Sequence, residues 1–172
     1  MMKKILAIIG LSIGSLIGVA HAAEAPKPQA VEKPSVWLVD EFNKPIPRVY
    51  RHGDCSWVPE VALQAGWQPK QMGKLVQIIQ RESGCCPRRI GGSVVDRNCN
   101  FVRMSSWSHP SDSGLLQING VHWKQDHPQY HGLICKQMGV CDQEPLLDPL
   151  TNLVAGRLLF SVAGWQPWSI SG

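Results

Sequence analysis

Charge is scarce in this chain of 172 residues: Asp, Glu, Lys and Arg make up 17% of it, against about 25% in an average globular protein. It has no basic block, and its formal net charge is only +4, which argues against a nucleic-acid ligand. No internal repeat is visible. No apolar run reaches the roughly 20 residues that span a bilayer. The length suits a single globular domain and leaves no room for a cofactor domain beside a substrate domain. Tyr and Phe are few, 2 and 3, so the seven Trp dominate the aromatic content. Apolar residues nonetheless reach 44%, enough for a packed core and against extensive disorder.

The N-terminus reads as an address. Lys3 and Lys4 precede an apolar run over residues 5–19, followed by Ala20-His21-Ala22, a small-x-small cleavage site. A secretory signal peptide over residues 1–22 is expected, with periplasmic or secreted localisation. Its removal leaves 15 basic and 13 acidic residues. Residues 23–36, rich in Pro, Ala and Lys, read as a flexible leader, and residues 37–172 as the folded domain.

Export decides how the six cysteines are read. Cys55, Cys85, Cys86, Cys99, Cys135 and Cys141 entering an oxidising compartment imply three disulfides. The adjacent Cys85 and Cys86 make a strained ring if joined to each other, whereas Cys135 and Cys141 are close enough for a local bridge; the other pairings stay open. The same compartment argues against zinc at His127, His131, Cys135 and Cys141, so no metal and no cofactor are expected.

Periodicity predicts mostly helix. A short helix is expected near residues 57–65, ended by Gly66. A second starts at Pro69, carries the stripe Met72, Leu75, Val76 and Ile79, and ends at Gly84. Residues 91–119 are punctuated by Gly, Ser and Asn, with a β-like run over 93–102, and predict a small hairpin or irregular lobe. Asp148-Pro149 opens a last helix to about Ala163, with Gly164 at its end and Leu150, Val154, Leu158 and Val162 as its buried edge. The predicted class is mainly α (α+β).

Glu82 falls seven residues after Leu75, four after Ile78 and three after Ile79, so a persisting helix aims it from the apolar stripe, in the last turn. Desolvation and the negative end of the helix dipole both favour a protonated carboxyl there. A proton-holding acid is what a glycosidase presents to a leaving sugar oxygen. The opposing reading is a frayed helix end with Glu82 paired to Arg81 or Arg88.

Three motifs in order, Glu82-Ser83, Gly114-Leu115-Leu116-Gln117-Ile118 and Asp148-Pro149-Leu150-Thr151-Asn152-Leu153-Val154-Ala155-Gly156, resemble the lysozyme-like superfamily. The likeness is to SLT-type lytic transglycosylases, with small exported peptidoglycan-cleaving proteins of secretion and conjugation machines and phage lysins nearest. It spans about residues 70–168. It implies a lysozyme-like single domain with a small β-hairpin lobe, acting as a monomer on a peptidoglycan glycan strand, with a secretion or conjugation apparatus as a further partner. On this resemblance Glu82 is the general acid and later the base. Ser113, Gln117 and Asn119 line the cleft, and Asn152 ties the last helix to it. The segment over residues 85–110 is longer than the family pattern, and the family's Tyr-Asn-Ala-Gly element is replaced by Gly164-Trp165-Gln166-Pro167-Trp168-Ser169.

Asp112, two residues before Gly114, stands where animal-type lysozymes carry a second carboxylate; the plainer reading is the acceptor of an Asx-turn. Asp96 is a weaker candidate. Among the tryptophans, Trp123 and Trp107 are expected to face sugar and the others to lie in the core. The sequence thus predicts an exported lytic transglycosylase that cuts the MurNAc-GlcNAc β-1,4 bond. Its rivals are a hydrolytic lysozyme using Glu82 with Asp112, and a non-catalytic glycan-binding or assembly protein.

Overall fold

The computed structural model describes residues 48–125 and 132–169. The expected signal peptide, leader and domain start at Trp37 lie outside the described residues, as do His127 and His131. Four α-helices are described: α1 Val58–Gln64, α2 Met72–Ser83, α3 Leu133–Met138 and α4 Pro149–Ala163. A single hairpin joins β1 Ser93–Val95 to β2 Phe101–Met104, antiparallel, with a register shift between Val94 and Val95. The α+β class with a small β lobe is therefore observed.

Local chemistry explains the boundaries. Pro69 opens a 3-10 turn, Pro69–Gln71, that feeds directly into α2. Gly84 ends α2 in the left-handed conformation at φ 60°, which costs glycine nothing sterically. Asp148 caps α4, its Oδ1 accepting from the Thr151 backbone N–H at 2.8 Å, and Pro149 fills the first turn, where its missing N–H is harmless.

The buried face of α4 differs from the expected edge. Val162 is 68% exposed, whereas Asn152, Leu153, Ala155, Gly156 and Leu159 are buried. A four-residue step turns about 40° past a full turn, so a stripe built only on such steps winds off the core within three of them. Because α4 is apolar nearly all round, hydrophobicity by itself did not mark its inner face.

The core joins Val58 and Ala62 of α1, Leu75, Ile78 and Ile79 of α2 and Leu153 and Leu159 of α4 with Trp67, Leu115, Leu116 and Ile118. Trp67 donates its indole N–H to Leu153 O at 2.9 Å, which satisfies the one polar atom of a fully buried ring.

Disulfides join Cys55 to Cys85, Cys86 to Cys99 and Cys135 to Cys141. The adjacent pair diverges as expected: Cys85 holds the segment before α1, and Cys86 ties the hairpin lobe to the end of α2. Three disulfides fit maturation in oxidising surroundings. Among the described residues no helix is long and apolar enough to cross a membrane.

Candidate active site

Helix α2 does not fray, so Glu82 stands in its last turn. The stripe continues through Ser83, which is fully buried and donates its hydroxyl to Ile79 O at 3.0 Å, and Glu82 lies at the stripe's margin. Its side chain is 26% exposed. Arg81 donates to Glu82 Oε1 from Nε at 3.0 Å and from Nη2 at 2.5 Å. The neighbouring arginine expected only for a frayed end is thus reached with the helix intact, and an apolar enclosure of the carboxyl is not what surrounds it.

Arg81 is also anchored elsewhere. Its Nη2 donates to Trp168 O at 2.7 Å, and the Trp168 indole N–H donates to Leu116 O at 2.9 Å. Leu116 N–H in turn donates to Asn152 Oδ1 at 2.9 Å. A continuous line of hydrogen bonds therefore runs from α4 through the Gly-Leu-Leu-Gln turn and the C-terminal 3-10 turn, Gln166–Trp168, to the candidate acid.

Residues 113–118 form a tight turn closed by Ser113 N to Ile118 O at 3.1 Å and Ile118 N to Ser113 O at 2.9 Å. Leu115 and Leu116 point into the core at its tip. Gly114, at φ 71°, packs so close to the Asn152 amide and to Leu146 O that a Cβ has no space. Asn152 is fully buried, its amide nitrogen donating to Ser113 O at 2.9 Å and Leu146 O at 2.8 Å. Every polar atom of that side chain is engaged within the protein, so Asn152 positions the turn.

The other expected cleft residues divide. Ser113 is fully buried, its hydroxyl shared between Ser111 O and the Gln143 amide, which leaves only its backbone for the expected cleft role. Gln117, at φ 46°, is partly exposed and donates to Arg89 O at 3.0 Å and Gly114 O at 2.8 Å. Asn119 caps a 3-10 turn through Val121 N–H at 3.0 Å and donates from Nδ2 to Asp112 Oδ1 at 2.5 Å. Trp123 is 8% exposed, belongs to the core and donates to Ser111 O at 3.3 Å, so its ring is largely covered where a sugar-facing one is expected. Trp107 is 87% exposed.

Asp112 comes close enough to Glu82 for the two to interact. Its carboxyl is pushed above the ordinary value chiefly by partial burial; the Asn119 hydrogen bond and nearby His109 pull it down, and the Glu82 charge pushes it up. Asp96 instead caps the hairpin turn, accepting from Asn98 N and Asn100 N at 2.8 and 2.9 Å.

An open groove of about 510 Å³ runs along α2, lined by Lys74, Gln77, Ile78 and Arg81, the partner of Glu82, and, from the C-terminal turn, by Trp165 and Trp168 among others. Both tryptophans were expected in the core, and Trp168 is buried there with Trp165 packed against it; what sequence reasoning missed is that they also line the groove. The available signal was the pair of indoles flanking Pro167 after Gly164, a chain reversal that turns aromatic residues toward the helix carrying Glu82. Cys135 and Cys141 spend their sulfurs on each other, and among the described residues no group of three or more His, Cys, Asp or Glu is placed to hold a metal. Comparison with protein-family models, curated proteins and solved structures finds no match to this chain.

Proposed function

We propose that this protein is an exported, lysozyme-like peptidoglycan lytic transglycosylase that cuts the MurNAc-GlcNAc β-1,4 bond with Glu82 as its acid and base. The observation that carries the reading is the location of Glu82: the last turn of α2, partly exposed and bound by Arg81, which lines a tryptophan-bearing groove and is tied through Trp168 to the Gly-Leu-Leu-Gln turn. Glu82 gives its proton to the bridging oxygen as the C1–O bond breaks, and the 2-acetamido group of the substrate supports the positive charge. As carboxylate, Glu82 takes the proton of the sugar's 6-hydroxyl while that oxygen closes on C1, leaving a 1,6-anhydro end. The motif resemblance, in family order, supports the choice of substrate and of a secretion or conjugation apparatus as associate.

Glu82→Gln keeps the shape of the side chain and removes the acid. Its rate on purified cell walls is expected to fall by about 10²–10⁴-fold, the usual worth of general acid catalysis. Clearance at the unaltered rate would remove Glu82 from the chemistry, and glycan binding with no clearance by the unaltered protein would favour a glycan-binding protein.

Hydrolysis is the second reading, favoured by Asp112, a partly buried carboxyl that feels the Glu82 charge. Mass spectrometry of the digest separates the two, because anhydro products lack the water that hydrolysis adds.

A further inference from the structure

Resting on that reading, we propose that the groove along α2 binds the carboxylate-bearing stem peptide of peptidoglycan, with Lys74 and Trp165 as its recognition pair. Lys74, Gln77 and Arg81 follow one another at i, i+3 and i+7 on α2, so one helix face supplies the wall. The lining contains two cations and no acid. Arg81 is answered by Glu82, whereas no described carboxylate pairs with Lys74. The groove therefore keeps a positive charge for its occupant.

Lys74 Nζ sits over the Trp165 ring, 5.3 Å from its centroid. The ring itself is held by stacking on Trp67 at 5.5 Å and by edge contacts with Phe160 and Trp168 at 4.6 and 6.3 Å. A neutral sugar meeting this indole has to displace an ammonium and offers it no counter-charge. An anionic peptide pairs the ammonium with its carboxylate and lays a small apolar side chain beside the ring. The amides of Gln77 and Gln166, both on the lining, each present a donor and an acceptor, the complement of a peptide group. The volume lies within the roughly 300–1,000 Å³ usual for small-ligand sites. Because Arg81 joins the groove to Glu82, a strand held for cleavage can lay a stem peptide into it.

The test uses the unaltered protein, ¹⁵N-labelled at its indoles, titrated with muramyl dipeptide bearing free carboxylates and with the same compound fully amidated. The acid form is expected to shift the Trp165 signal and to bind about tenfold more tightly than the amide, as one charge-assisted contact implies. Lys74→Glu, a surface change whose folding is checked by thermal unfolding, is expected to abolish that preference. Equal affinity for the two forms, an unshifted Trp165, or a preference that survives in Lys74→Glu each overturns the proposal. Binding with the expected preference but no cleavage of cell walls upholds the groove assignment and removes the catalytic reading; cleavage without the preference does the reverse.

Discussion

At Asp112 a single carboxyl links stability to pH. Its unfolded reference is 3.8, and partial burial raises the folded value above it. Below 3.8 both states are protonated and the residue is neutral in the balance; as pH rises through the folded value, the native state has to ionise a half-buried acid, so stability falls. Asp112→Asn, whose amide oxygen still accepts from Asn119, is expected to melt higher than the parent at neutral pH, with the gain vanishing near pH 3.8 and below. Thermal unfolding across that range checks the sign, and a gain that grows on acidification contradicts it. Asn152 acts in the opposite direction. Its replacement by Ala orphans Leu116 N–H and Leu146 O inside the core, while Ser113 O keeps Ile118 N–H, and orphaned groups cost about 1–3 kcal/mol each. A loss of about 3 kcal/mol is expected in urea unfolding, together with a reduced cell-wall rate because the turn that holds Trp168, and through it Arg81, loosens.

Among the elements, α4 is the one whose sequence misleads. Gly156 lies mid-helix, where Ala is ordinarily better by about 1 kcal/mol. Here its hydrogen faces Leu116, and a Cβ at that point overlaps the Leu116 methyl. Leu116 is fully buried at the tip of its turn and has nowhere to retreat, so overpacking of about 1–3 kcal/mol outweighs the propensity gain. Gly156→Ala is expected to lower the urea midpoint. A raised midpoint would mean that the turn yields, and that the spacing between α4 and the site is looser than the contact implies. The same contact explains why Gly156 and Asn152, one helical turn apart, both bear on the Gly-Leu-Leu-Gln segment.

Across the whole molecule the disulfides carry much of the stability. They close loops of 30, 13 and 6 residues by sequence separation, and loop-closure entropy assigns them together about 9 kcal/mol. That equals the entire stability of a typical domain, about 5–15 kcal/mol. Full reduction is therefore expected to unfold the protein near 37 °C, whereas replacing Cys135 and Cys141 together by Ser, which opens the shortest loop, is expected to cost least. Circular dichroism with and without reductant measures both.

Sequence reading anticipated what short-range physics controls. Gly84, Asp148 and Pro149 marked helix ends because caps and missing N–H groups act within one turn, and the spacing of Cys135 and Cys141 sufficed for their bridge. It also placed Glu82 at the end of α2, and Asp112 and Asn152 near one turn. Tertiary packing decided the rest. Whether Glu82 faces oil or Arg81, whether Trp123 or Trp165 shows its ring, and which side of α4 is inward all depend on atoms brought together from distant parts of the chain. Contacts such as Arg81 to Trp168 and Trp168 to Leu116 join residues 87 and 52 positions apart, beyond the reach of any local periodicity.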